Sequence, residues 1–287
     1  VPLTVRVPAS TSNLGAGFDC LGLALDLWLE ARLVERSAPA RFEGTLAGLD
    51  QSADIMSAIL RQHELSDVWH LEARSAIPVG KGLGSSAAAR VAAVALARLA
   101  RGHALDRETV FRDVAAAEGH PDNAGPAVYG GLFLASSPPA RLSLHPSLGI
   151  ALAVPDAPLS TNVARARLPA DVGRETAVDQ AARAAALVLG LTRGDGDLLR
   201  FGMQDRIAVP RRQDLIPGFD AAVRAGCSAG AYGVTISGAG SALLAIAPRE
   251  CAAVAAAAMA HALTAAGNPA SGMSPAAATT GMAVVNG

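Results

Sequence analysis

The chain has 287 residues, 51% hydrophobic and 17% charged, with a formal net charge of −1. That length suits one large or two medium domains with a sizeable core. The near-neutral balance offers nothing to a nucleic acid or an acidic membrane surface, and the longest apolar run, Cys251 to Ala260, is too short to span a bilayer.

Leu3, Val5 and Val7 alternate with Thr4 and Arg6, which predicts a strand over Val1 to Val7 where a signal peptide would otherwise be sought. Pro8, Gly15 and Gly17 predict an irregular loop, with Asn13 and Asp19 flanking its glycines, before a second strand region from Leu21 to Val34. Taken alone, Asn13 and Asp19 read as loop-capping side chains. Arg41 to Asp50 reads as weak strand and turn, Ser52 to His63 as a helix, and Val68 to Ala76 as an edge-like strand.

That strand leads into Ile77–Ala89, IPVGKGLGSSAAA, on which the chain is organised. Gly80, Gly82 and Gly84 let backbone amides turn toward an anion, since glycine has no Cβ to block the approach. The alanine, valine and leucine run behind them predicts a buried helix from about Ser85 to Arg101. A glycine-rich loop opening a helix gathers unpaired N–H groups and the positive dipole end at one point, which suits phosphate. The spelling is neither a Walker loop, because Gly82 follows Lys81, nor a G-x-G-x-x-G dinucleotide loop.

Asp106 caps a helix predicted to end near Ala117. Glu118 to Gly131 is a loop crowded with His120, Asp122 and Asn123, which by themselves read as turn chemistry, and Leu132 to Ala135 returns to strand. Leu142 to Val154 is apolar, and the prolines and polar cluster from Pro155 to Asn162 mark a domain division, giving 1–155 and 156–287. Thr176 to Leu189 and Asp195 to Gln204 read as helices. Gly233 to Ala247 reads as a strand, a Gly238/Gly240 turn and a strand. Arg249 to Ala266 is a helix, Pro269 to Thr280 a loop, and Met282 to Val285 a closing strand.

Three of these strings, in this order, resemble the motifs of the GHMP kinases. They are VPASTSNLGAGFD at 7–19, the P-x-x-x-G-L-G-S-S-A-A loop from Pro78, and SGAGS from Ser237. The E…H-x-D-N string at 118–123, STNVARARLP from Ser160 and PRRQDLIP from Pro210 resemble the homoserine kinase branch of that family. Ser12, Ala16, Ala208 and Ser241 depart from the family spelling.

The resemblance implies an α+β, two-domain GHMP-kinase fold, with an N-terminal ATP-binding domain containing a left-handed βαβ crossover and a C-terminal ferredoxin-like domain. It implies ATP as co-substrate, assisted by Mg²⁺, and L-homoserine as the phosphoryl acceptor, in a homodimer; the charge balance argues against nucleic-acid and membrane partners, and the cysteine usage suggests a cytoplasmic protein. It places ATP contacts on Pro78, Val79, Gly80, Lys81, Gly82, Leu83, Gly84, Ser85, Ser86, Gly238 and Gly240, and the metal on Ser86 and Glu118. Substrate contacts fall to Asn13, Asp19, Asn123, Arg165 and Arg212, with Asn123 and Asp19 nearest the chemistry. An amide at Asn123 cannot take a proton at neutral pH, so no strong protein base is expected. The alternatives are a GHMP kinase for another small alcohol and an inactive binding protein of the same fold. The three widely spaced cysteines, Cys20, Cys227 and Cys251, fit reduced thiols.

Overall fold

The computed structural model describes residues 3–35, 41–44, 51–65 and 68–285, so the turn expected over 45–50 and the first two residues of the opening strand lie outside it. Strands β1 (Leu3–Asn13) and β2 (Gly17–Glu35) form a long antiparallel hairpin. β3 (Arg41–Gly44), α1 (Gln51–Gln62) and β4 (Trp69–Ser75) follow, then α2 (Ser85–Ala100), α3 (Arg107–Glu118) and α4 (Ala124–Tyr129). Next come β5 (Leu132–Leu134), β6 (Ala140–Leu142) and β7 (Leu148–Pro155). A helical stretch contains α5 (Thr161–Ala166), α6 (Arg174–Arg193), α7 (Gly196–Gly202), α8 (Val209–Arg212) and α9 (Phe219–Ser228). The chain closes with β8 (Gly233–Ile236), β9 (Leu243–Pro248), α10 (Ala252–Ala265), β10 (Ala270–Met273) and β11 (Ala283–Val285).

The irregular loop expected after Val7 is strand on both sides of a short turn at Leu14–Ala16. Pro8 does not end the strand. It stands at a register shift between Pro8 and Ala9, where a residue without an N–H costs the ladder least. The Pro269–Thr280 loop likewise contains β10, which pairs with β7.

Among the described residues the first sheet has seven strands, ordered β11-β1-β2-β4-β3, with β5 and β6 beside the first half of β2. β3 and β4 are parallel and joined through α1, the sheet's βαβ unit. The second sheet is wholly antiparallel, ordered β10-β7-β9-β8. Counting those strands in chain order gives 4-1-3-2 with helical connections, the ferredoxin-like arrangement. β7 precedes the division expected at 155 but belongs to the second sheet, and β11 follows it but returns to the first.

Side-chain alternation along β7 explains why the two halves share a core. Ile150, Leu152 and Val154 join the first-domain core, together with Leu187 and Leu191 of α6. Ala151 and Ala153 face the other way, against α9 and α10. In α2, Ala88, Ala89, Ala92, Ala93, Ala95 and Ala97 are fully buried. With side chains this small the helix approaches β1 and α1 closely. That packing holds its N-terminus, and the glycine loop before it, in one place.

Candidate active site

The glycine loop is built to an unusual backbone shape. Gly80, Gly82 and Gly84 all have positive φ, at 69°, 75° and 69°. Gly84 is the N-cap of α2, so the free N–H groups of the first turn face a cavity of about 260 Å³. The Gly238–Gly240 turn lies against this loop. Ser237 Oγ donates to Gly82 O at 2.7 Å, Ala242 N to Lys81 O at 3.0 Å, and Gly238 N to Ser12 O at 3.1 Å. A Cβ on Gly82 would stand 2.1 Å from Ser237 O. Gly82→Ala is therefore expected to raise the ATP Kd at least about tenfold, because a left-handed non-glycine residue already costs roughly 1–2 kcal/mol before any clash. ATP titration calorimetry checks this, with the melting temperature as a control for folding.

Val79, Gly80 and Gly82 to Ser86 line the cavity, as do Gly238 and Gly240. Pro78 and Lys81 do not. The Lys81 ammonium instead donates to the Asp156 carbonyl, tying the loop to the segment that leaves β7. Burial lowers its pKa below the ordinary lysine value.

Ser86, in the first turn of α2, donates to Glu118 Oε1 at 2.7 Å. Glu118 is the last residue of α3, so two helices bring a hydroxyl and a carboxylate together beside the loop. Arg90, one turn after Ser86 on the same face, holds the same oxygen at 2.5 Å. Sequence reading passed over Arg90, although its i+4 spacing from Ser86 was available.

At the other end of the cavity, Arg165 of α5 grips Asp19 with both terminal guanidinium nitrogens, Nη2 at 2.9 Å and Nη1 at 3.2 Å. Each side chain is about one-third exposed, at 35% and 34%. Arg212 lies behind them, 3% exposed, donating through Nε to Ala164 O at 3.0 Å and through Nη1 to Gly238 O at 3.4 Å. Burial, and then the Arg165 charge, lower its pKa below the ordinary arginine value, while Asp19 opposes them. The opposite charges of a small zwitterion find partners at this end.

Two asparagines line the cavity between these ends. Asn13 accepts from Asp19 N at 3.0 Å and donates to Gly238 O at 2.9 Å, so the loop-capping reading holds, and one amide hydrogen remains. Asn123 accepts from Ser10 Oγ at 2.9 Å and donates to Ser12 Oγ at 3.0 Å and Asp122 Oδ1 at 3.4 Å. Both its hydrogens are engaged, leaving one lone pair on Oδ1.

His120 and Asp122 are more than turn residues. Both line the cavity, and His120 Nδ1 bonds the buried Asp122 carboxylate at 2.6 Å, with Nε2 4.0 Å from Glu118 Oε2. The Asp122 hydrogen bond raises the His120 pKa against the opposing effect of burial. No spacing in the sequence distinguishes this pair from an ordinary turn.

Comparison with known proteins agrees with this geometry. Residues 45–131 match the family model of the GHMP kinases N terminal domain, and residues 184–265 match that of the GHMP kinases C terminal. The homoserine kinase of Nostoc sp. (strain PCC 7120) is 40% identical over 280 residues, covering 92% of this chain and 93% of that protein. That of Trichormus variabilis is 38% identical over 282 residues, covering 92% and 93%. The crystal structure of homoserine kinase from Cytophaga hutchinsonii superposes with a TM-score of 0.84 at 30% identity, covering 99% of this chain and 97% of that one. The chain belongs to the GHMP kinase family, in its homoserine kinase branch.

Proposed function

We propose that the chain transfers the γ-phosphoryl group of ATP to the side-chain hydroxyl of L-homoserine, giving O-phospho-L-homoserine and ADP. One observation carries this reading: a single cavity has helix N–H groups at one end and the Asp19, Arg165 and Arg212 charges at the other. Homoserine carries a carboxylate for the arginines and an ammonium for Asp19. Galactose and mevalonate do not carry that pair. The names borne by the relatives support the same acceptor.

The loop amides from Gly82 to Ser86 cradle the phosphates, and the α2 dipole favours their charge. A hydroxyl and a carboxylate at 2.7 Å are hard oxygen donors, and both residues line the cavity beside the loop amides, so Ser86 and Glu118 fit Mg²⁺. When bound there, that ion supplies charge neutralisation on the transferring phosphate. The remaining work is alignment. Asn13 and Asn123 orient the hydroxyl with the free amide hydrogen of one and the free lone pair of the other. The hydroxyl oxygen forms its bond to γ-phosphorus as the bond to the ADP oxygen breaks. The proton passes late to phosphoryl oxygen or water, because Asn123 accepts none. A cytoplasmic setting and a homodimer belong to the same reading, the first supported by the unpaired Cys20, Cys227 and Cys251, the second by family resemblance.

A coupled ADP-release assay with homoserine, serine, mevalonate and galactose tests this. Homoserine is expected to be turned over with the highest kcat/KM. Preference for another alcohol, or ATP binding without turnover of any of them, would end the proposal.

A further inference from the structure

The turn that carries Asn13 and Asp19 and the helix that carries Arg212 are almost two hundred residues apart in sequence, yet they wall one cavity. On the cavity side they meet at one atom, since Asn13 and Arg212 both donate to Gly238 O. A second link runs behind the cavity through Gln180, on α6, which is 8% exposed and does not line the cavity.

Its amide reaches three ways. Nε2 donates to Ala16 O at 3.0 Å, inside the Asn13–Gly17 turn, and to Asp205 Oδ1 at 2.7 Å. Oε1 accepts from Arg206 N at 2.9 Å. Asp205, 7% exposed, uses its other oxygen to cap α8, accepting from Ala208 N at 2.6 Å and Val209 N at 2.5 Å. The chain of bonds therefore runs from the Asp19 turn through Gln180 and Asp205 to α8, and from Arg212 at its end to Ala164 O, next to Arg165. The turn has no room to shift inward, because a Cβ on Gly15 would meet Met203 Cα at 2.5 Å. Its backbone is also tied there, Ala16 N donating to Gly202 O at 3.1 Å.

We propose that Gln180, acting through Asp205, is a positioning residue that sets where the β1–β2 turn beside the ammonium-binding Asp19 stands relative to α8 and its carboxylate-binding Arg212. This rests on the zwitterion reading of the site. A glutamine suits the task because it has two hydrogens to divide between a carbonyl and a carboxylate. A glutamate at this position would set two carboxylates face to face beside the Ala16 carbonyl, with no hydrogen among them, in a buried place.

The test is steady-state kinetics of the full chain as wild type, Gln180→Glu, Asp205→Asn and the double variant, varying homoserine and ATP separately. Melting temperatures and ATP binding by calorimetry are measured on the same samples. Gln180→Glu is expected to raise the homoserine KM at least about tenfold, the scale of coupling within a buried network, with the ATP Kd within about twofold of wild type. The double variant is expected to recover much of that loss. The asparagine that Asp205→Asn introduces can still cap α8 through its oxygen. Its amide can donate to the carboxylate that Gln180→Glu introduces, so the pair bond returns with reversed polarity. If Gln180→Glu does not fold, Gln180→Met carries the same comparison of homoserine KM with ATP Kd. An unchanged homoserine KM, an equal loss of affinity for both substrates, or a double variant no better than Gln180→Glu overturns the clamp. Absence of wild-type turnover of homoserine in the same assay removes the functional reading and the clamp with it. Wild-type turnover with unaffected variants removes the clamp alone.

Discussion

Arg165→Ala is expected to raise the homoserine KM by roughly 30- to 150-fold, with kcat and the ATP Kd nearly unchanged. The size follows from about 2–3 kcal/mol for a charge-assisted, two-pronged contact that is only partly shielded from water. Arg165 is about one-third exposed, which keeps the figure below that of a buried pair. KM moves rather than kcat because the substrate carboxylate is held equally before and during transfer, so its loss is a loss of uniform binding. Arg165→Lys is expected to recover only a small part, since an ammonium cannot match a planar carboxylate with two parallel bonds. The fork of Arg165 already makes two parallel bonds to one carboxylate, that of Asp19. Steady-state kinetics with each substrate varied in turn is the measurement. A KM within twofold of wild type would withdraw the carboxylate from Arg165.

Glu118→Gln is expected to lower kcat about 10²- to 10³-fold, the scale seen when one preorganised group that stabilises transition-state charge is removed. Glutamine keeps the shape and can still accept the Ser86 and Arg90 hydrogen bonds at Glu118 Oε1, but it brings no negative charge. The change should therefore appear as a raised Mg²⁺ requirement, with the homoserine KM little affected. Arg90 would be left partly buried without its anion, so a modest loss of thermal stability is also expected. A titration of activity against Mg²⁺ separates these effects. The same Mg²⁺ midpoint in variant and wild type would remove Glu118 from the metal site.

Both residues are placed in the site by resemblance to family strings, but Glu118 ends a helix whose start the sequence also marks: Asp106 is a cap, accepting from Glu108 N and Thr109 N. Arg165 carried no local signal beyond its resemblance to a family string. α5, the six-residue helix that presents it, was not predicted, because one and a half turns give periodicity nothing to show. α4, α8 and β10 were missed for the same reason, while the long α6 was recognised and only its ends misjudged.

Readable from local sequence are the glycine loop, the alanine helix behind it, the hairpin at Gly238–Gly240 and the family to which these motifs point. Each depends on residues close together in the chain, where backbone freedom and helix propensity act directly. Long-range packing alone settles that β7 joins the second sheet, that Lys81 turns from the cavity to Asp156, and that Arg90, His120 and Asp122 enter the site. It also decided that Gln180 joins Ala16 to Asp205. Those outcomes depend on which distant groups come within hydrogen-bond reach once two sheets share a core, and no local pattern encodes a distance across the fold.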